Sequence, residues 1–170
     1  MSPLWAVLAP MIVAPATDDV ATAEFERMKA LAGTWRLAGR AASPLRIRFT
    51  PTASGTVLVE EWLNAGKPHS MTVYHRDGAR LIATHYCPQG NQPRLAATPR
   101  SDAAGPAFTF LDATDLDTAS ESYLVALSFD LRDSARPVRR ETYREGGGDA
   151  PSELALERDG ASAPTAARTD

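Results

Sequence analysis

Beyond Gly33 no stretch of this chain carries the apolar spacing of a helix. Short runs rich in Val, Ile, Thr, Tyr and Phe are instead separated by clusters of Gly, Pro, Asp and Ser at regular intervals. That rhythm constrains the fold more than any other feature, because alternating side chains build a sheet and not a helical core. Strands are expected near Thr34–Ala38, Leu45–Thr50, Thr56–Leu63, His69–Arg76, Ala79–Tyr86, Arg94–Thr98, Ala107–Asp112, Ser122–Leu131, Val138–Arg144 and Glu153–Arg158, about ten in all.

The sharpest local signal is MTVYHRDGARLIATHYC, Met71 to Cys87, where Asp77-Gly78 supplies the chemistry of a tight hairpin turn. A turn centred there sets Tyr74 opposite Leu81, Val73 opposite Ile82 and Ser70 opposite His85. Alternation places Leu81, Ala83, His85 and Cys87 on one face and Ile82, Thr84 and Tyr86 on the other. Neither face is cleanly polar, which suits a barrel with a partly polar interior better than a sandwich with a dry core. The triple glycine Gly146–Gly148 lies between two strands and reads as a flexible turn, not a phosphate-binding loop.

Before the strands, Phe25, Met28, Leu31 and Ala32 share one side of an amphipathic helix spanning Ala21–Ala32, with Thr22 as N-cap and Gly33 as its stop. Ahead of that helix, the apolar run Leu4–Val13 and the small-residue sequence Ala14-Pro15-Ala16 resemble the core and cleavage site of a signal peptide. No Lys or Arg precedes the run, and it is too short to span a bilayer. The expected organisation is a leader over residues 1–20, a barrel domain over 21–158 and a disordered tail over 159–170. The leader points to a periplasmic or secreted protein, and to a cytoplasmic one if it is not a signal peptide.

Among the 170 residues, 18 Lys and Arg face 21 Asp and Glu, a net charge of −3 that gives nucleic acid no electrostatic purchase. The single cysteine, Cys87, excludes an intrachain disulfide framework and a multi-cysteine metal site.

A helix, the sequence LAGTWR from Leu31 to Arg36, and a run of hairpins together resemble the calycin architecture of lipocalins and fatty-acid-binding proteins, the nitrobindin-like barrels in particular. The resemblance implies an antiparallel up-and-down barrel in which Gly33 and Trp35 close one end and Arg158, from the last strand, covers the tryptophan. The segment MTVYHRDGARLIATHYCPQGNQPRLAA, Met71 to Ala97, is similar to one shared by an uncharacterised bacterial family of such barrels. That family tends to carry a later histidine-containing strand, whereas this chain has Glu121-Ser122-Tyr123-Leu124-Val125 and no histidine after His85.

The candidate ligand contacts cluster in THYCPQGNQPR. His85 and Cys87 share a strand face, and Asn91, Gln92 and Arg94 occupy the corner into the next strand, where Arg94 could meet a carboxylate or phosphate. Tyr74, Tyr86 and His75 complete the set, with Trp62 and Met71 as further apolar walls. His69 and His75 point away from His85 and Cys87 unless a bulge intervenes, so no metal site is expected. Arg136, Arg139, Arg140 and Arg144, interleaved with Glu141 and Glu145, read as a solvated face of ion pairs. Asp112, Asp115 and Asp117 read as a polar turn.

These features point to a non-enzymatic binding protein for a small, largely apolar ligand with a possible acidic end, monomeric or homodimeric and with no resident cofactor. Three other readings stay open: an enzyme pairing His85 with Cys87 or Tyr86, a plain structural barrel whose interior is filled by side chains, and a haem protein using His85 as axial ligand, which the nitrobindin resemblance invites.

Overall fold

The computed structural model describes residues 17–97 and 104–160. Residues 1–16 of the leader, Thr98 at the end of the expected sixth strand and residues 161–170 of the tail lie outside the described residues.

One helix, α1 (Thr17–Lys29), precedes ten strands: β1 (Gly33–Leu37), β2 (Leu45–Thr52), β3 (Val57–Asn64), β4 (Lys67–Asp77), β5 (Arg80–Tyr86), β6 (Gln92–Ala97), β7 (Ala107–Thr114), β8 (Tyr123–Asp130), β9 (Val138–Glu145) and β10 (Gly148–Arg158). Each strand pairs antiparallel with its chain neighbour, and β1 pairs with β10 through Trp35 opposite Arg158 and Leu37 opposite Leu156, so the sheet closes into a barrel. Closure leaves no free sheet edge.

The helix starts at Thr17 instead of Ala21 and ends at Lys29 instead of Ala32. Asp18 and Asp19 in its first turn complement the N-terminal dipole. Thr22 is therefore internal, and its Oγ1 donates back to the Asp18 carbonyl at 2.8 Å instead of capping. At the other end, the amides of Ala30, Leu31 and Ala32 bond carbonyls three residues back, which tightens the last turn out of α-geometry.

Phe25, Met28 and Leu31 from α1 pack with Trp35, Leu81 and Phe49 to seal one end of the barrel. The Trp35 indole donates to the Leu31 carbonyl at 2.7 Å, and the Arg158 guanidinium lies 4.0 Å from the centre of its ring. Arg158 Nη1 and Nη2 donate to the carbonyls of Ala32 at 2.5 Å and Ala30 at 3.1 Å, which are free because the helix has ended. Gly33, at φ +120°, takes a conformation that side-chain-bearing residues resist, and a Cβ there would lie 2.5 Å from Arg158 Nη1. Above this seal, Tyr74, Phe108, Phe129, Leu58, Ile47, Leu95, Leu124, Leu127 and Leu156 fill the middle of the barrel.

The β4–β5 hairpin turns on Gly78-Ala79, with Asp77 opposite Arg80, instead of on Asp77-Gly78. Thr72, not Ser70, thus faces His85, and Tyr74 faces Ala83. The partner shifts by two residues, so every side chain keeps the face that alternation gives it. Gly146 and Gly147, both at positive φ, form the tight link between Glu145 and Gly148, and β10 begins well before the expected Glu153. No helix among the described residues is long and apolar enough to cross a membrane.

Candidate functional site

A polar layer lies across the barrel above its apolar filling. Glu60, Thr72 and His85 stand opposite one another in a row on β3, β4 and β5, all facing inward and all buried. Arg139, Glu141 and Tyr143 rise along the inner face of β9 on the far wall. The two walls meet only through the interior, because four strand steps separate β5 from β9 and four separate β9 from β3.

Two networks join them. In the first, the Arg139 guanidinium sits between two carboxylates, with Nε 2.8 Å from Glu60 Oε1 and Nη1 donating to Glu141 Oε2. Glu60 also accepts from the Tyr74 hydroxyl and, at 2.5 Å, from the Trp62 indole, whose ring lies over the guanidinium with its centre 4.8 Å away. The Nε contact is ionic and not an aligned hydrogen bond, and Nη2 is buried with no hydrogen-bond partner among the described residues. Burial pulls the Arg139 pKa down, but Glu60 and Glu141 outweigh it and hold the group above its ordinary value. Burial, with Glu60 beside it, pushes the Tyr74 phenol well above the usual tyrosine range.

In the second network, His85 Nδ1 lies 2.9 Å from Thr72 Oγ1 and Nε2 lies 3.1 Å from the Tyr143 hydroxyl. Burial, and then the Arg139 charge, lower the His85 pKa from 6.5 to about 4. The imidazole is therefore neutral at physiological pH, with one ring nitrogen donating and the other accepting. Burial, reinforced by Glu141, raises the Tyr143 pKa.

Beyond this layer the barrel is open. Ser152 faces inward, its hydroxyl donating to Glu141 Oε1 at 3.2 Å, yet it is exposed. Trp62, Ser70 and Tyr143, also on the inner face, are half-buried. Inward-facing residues can be wet only where solvent enters, so the open end forms a cup with the polar layer as its floor.

The expected site residues divide by face. His85 stands in the floor and Cys87, half-buried, follows it toward the rim. Asn91 is fully buried, with Nδ2 donating to Glu121 Oε2 at 3.1 Å and to the Ser122 carbonyl at 3.2 Å and Oδ1 left without a partner among the described residues. Tyr74 lies in the sealed interior, below the cup. The others are outside. Arg94 pairs with Asp112 on the outer wall, and Gln92 accepts from Thr114 at 2.6 Å and donates to the Gly90 carbonyl. Tyr86 is 41% exposed directly opposite Met71 on the outer face, and His75 turns to the Arg76 carbonyl at 3.0 Å. The bulge that could redirect a β4 histidine is present: the β3–β4 register shifts between Trp62 and Leu63 and skips His69.

Sequence reasoning assigned Arg139 and Glu141 to a solvated face, and the structure corrects this. Arg140 and Arg144 are exterior, paired with Glu153 and Asp149, and Arg136 and Glu145 are exposed as expected, while Arg139 is 1% exposed. In VRRETYRE both faces are polar, so alternation alone could not tell inner from outer. A usable signal was Glu60-Glu61 in a strand otherwise apolar, because adjacent strand residues cannot both face solvent. Glu61 pairs outward with Arg48 at 2.9 Å, and Glu60 is the inward one.

The floor does not fit a haem. Both His85 nitrogens are engaged, and Tyr74, Phe108 and Phe129 fill the space toward the closed end. Tyr86, on the outer face, is not a partner for His85 in catalysis. Among the described residues no three His, Cys, Asp or Glu side chains are placed to hold a metal ion. A scan against protein-family models finds no match, and no curated protein matches the chain.

Proposed function

We propose that this chain is a small-molecule-binding barrel of the lipocalin-like, nitrobindin-like kind, with its ligand seated in the open cup. The observation that carries this reading is the change from a sealed apolar interior to inward-facing but solvent-accessible polar and aromatic side chains, Trp62, Tyr143 and Ser152, above the His85–Arg139 floor. Binding sites are commonly concave, with apolar walls and a few placed polar groups. The LAGTWR opening and the Met71–Ala97 segment support the family reading, and the Trp35–Arg158 closure agrees with it. The leader supports export: Ala14-Pro15-Ala16 ends immediately before Thr17, where α1 begins, so cleavage there would leave the helix whole.

Native mass spectrometry of the protein purified from its own source tests both points. The expected spectrum shows a chain beginning at Thr17 and a small organic adduct, lost in Ser152→Trp, which plugs the cup. An adduct-free spectrum, together with tryptophan fluorescence that no member of a library of apolar small molecules changes, would overturn the binding reading.

A further inference from the structure

We propose that the cup takes neutral ligands whose polar end is a hydrogen-bond acceptor, a carbonyl above all, and rejects the corresponding carboxylic acids. The proposal rests on the cup being a ligand site. It follows from two separate properties of the floor. Arg139 Nη2 is buried beneath Trp62 with no partner among the described residues, and a buried N–H without an acceptor is a standing cost that a ligand oxygen can remove. The charge around that donor is already overcompensated. Two carboxylates, Glu60 and Glu141, flank one guanidinium, and neither Tyr74 nor neutral His85 adds positive charge.

An acid reaching Nη2 would bring a third carboxylate into a layer of low dielectric, where repulsion is felt most strongly. An amine would suit the excess negative charge but would leave Nη2 unpaired. A neutral carbonyl meets both conditions. Arg94, the cation that sequence reasoning offered to an acidic ligand, lies outside the barrel with Asp112 as its partner. Trp62 is the half-buried lid over the guanidinium, so its ring must shift for a ligand to reach Nη2, and its emission should report the event.

The test compares phenylacetamide, phenylacetate and phenethylamine, three probes with one apolar body, by isothermal titration and by the tryptophan fluorescence that is lost in Trp62→Phe, at neutral pH. The amide is expected to bind, with the acid weaker by about tenfold or more. Glu141→Gln removes the excess charge while keeping the Arg139–Glu60 pair, and should bring the acid to within about threefold of the amide. An acid that binds the wild-type protein as tightly as the amide, or an amine that binds more tightly, overturns the charge rule and leaves the cup standing as a site. Failure of the amide to bind overturns the proposal, while the cup as a ligand site stands or falls with the adduct and library measurements.

Discussion

The barrel sets an arginine over a tryptophan at two levels, and the two pairs behave differently. At the closed end Arg158 lies 4.0 Å from the Trp35 ring and gives its N–H groups to backbone carbonyls that the end of α1 leaves open. In the polar layer Arg139 lies 4.8 Å from the Trp62 ring, but its partners are carboxylates and its Nη2 has none among the described residues. The first pair satisfies neutral groups that had to be satisfied anyway, and it locks helix, first strand and last strand together. The second takes charges out of water, which is costly unless each is compensated, and it leaves Nη2 without an acceptor among the described residues. The same two residue types therefore make a plug where the backbone completes them, and a poised floor where it does not.

The strongest break in that comparison is Arg139→Met. It leaves Glu60 buried without its counter-charge and should cost about 3–5 kcal/mol in urea unfolding. Adding Glu60→Gln to it should recover part of the loss, because the fully buried carboxylate is then neutral and only Glu141, 14% exposed, is left without its counter-charge. If the single change is as mild as a surface substitution, the layer is hydrated and the contrast with Arg158 collapses.

Acid should also act on the floor and spare the plug. The His85 pKa is lower in the folded chain, about 4, than the 6.5 of an unperturbed histidine, so the unfolded chain binds the extra proton first. Its contribution is complete above about pH 6.5 and is lost as pH falls toward 4, roughly 3 kcal/mol in total. Carboxylates titrate in the same range, so the measurement is the difference in slope of stability against pH between the wild type and His85→Gln. The variant should show the flatter slope across that window, and equal slopes would mean that His85 is not held neutral by burial.

Gly33→Ala attacks the plug instead. It forces a side chain onto φ +120° and puts a Cβ 2.5 Å from Arg158 Nη1, so a loss of roughly 1–3 kcal/mol is expected. Binding in the cup should be unaffected, since the floor stands on other strands. If binding fell together with stability, plug and floor would be one cooperative unit.

What was legible in the sequence followed from backbone rules, and what was not followed from side-chain partnerships across the barrel. Ten strands and the shared face of His85 and Cys87 come from alternation and turn residues, the GTW closure was implied by the LAGTWR resemblance, and all of them survive a hairpin register that is off by two. The floor needs Glu60 from β3 to meet Arg139 from β9, residues 79 positions apart by their numbers, and nothing in either strand names the other. THYCPQGNQPR divided for the same reason. It supplies His85 and Asn91 to the interior, and Tyr86, Gln92 and Arg94 to the outer wall.

The smallest expected effect is the one that sharpens this division most. Arg94 was the natural cation for a ligand carboxylate, yet it and Asp112 form an outer-wall pair with about half of each side chain in solvent. The contact holds the Asp112 carboxyl below, and the Arg94 guanidinium above, their ordinary ranges, but solvent screens such pairs and they add little to folding. Arg94→Ala should leave the urea midpoint, the pH profile and the amide affinity of the cup where they are in the wild type. A loss of binding in this variant, with stability intact, would move the ligand from the inner face to the outer one. The interior charge argument would then have no bearing on recognition, because the only arginine touching the ligand would be one that the barrel wall separates from Glu60 and Glu141.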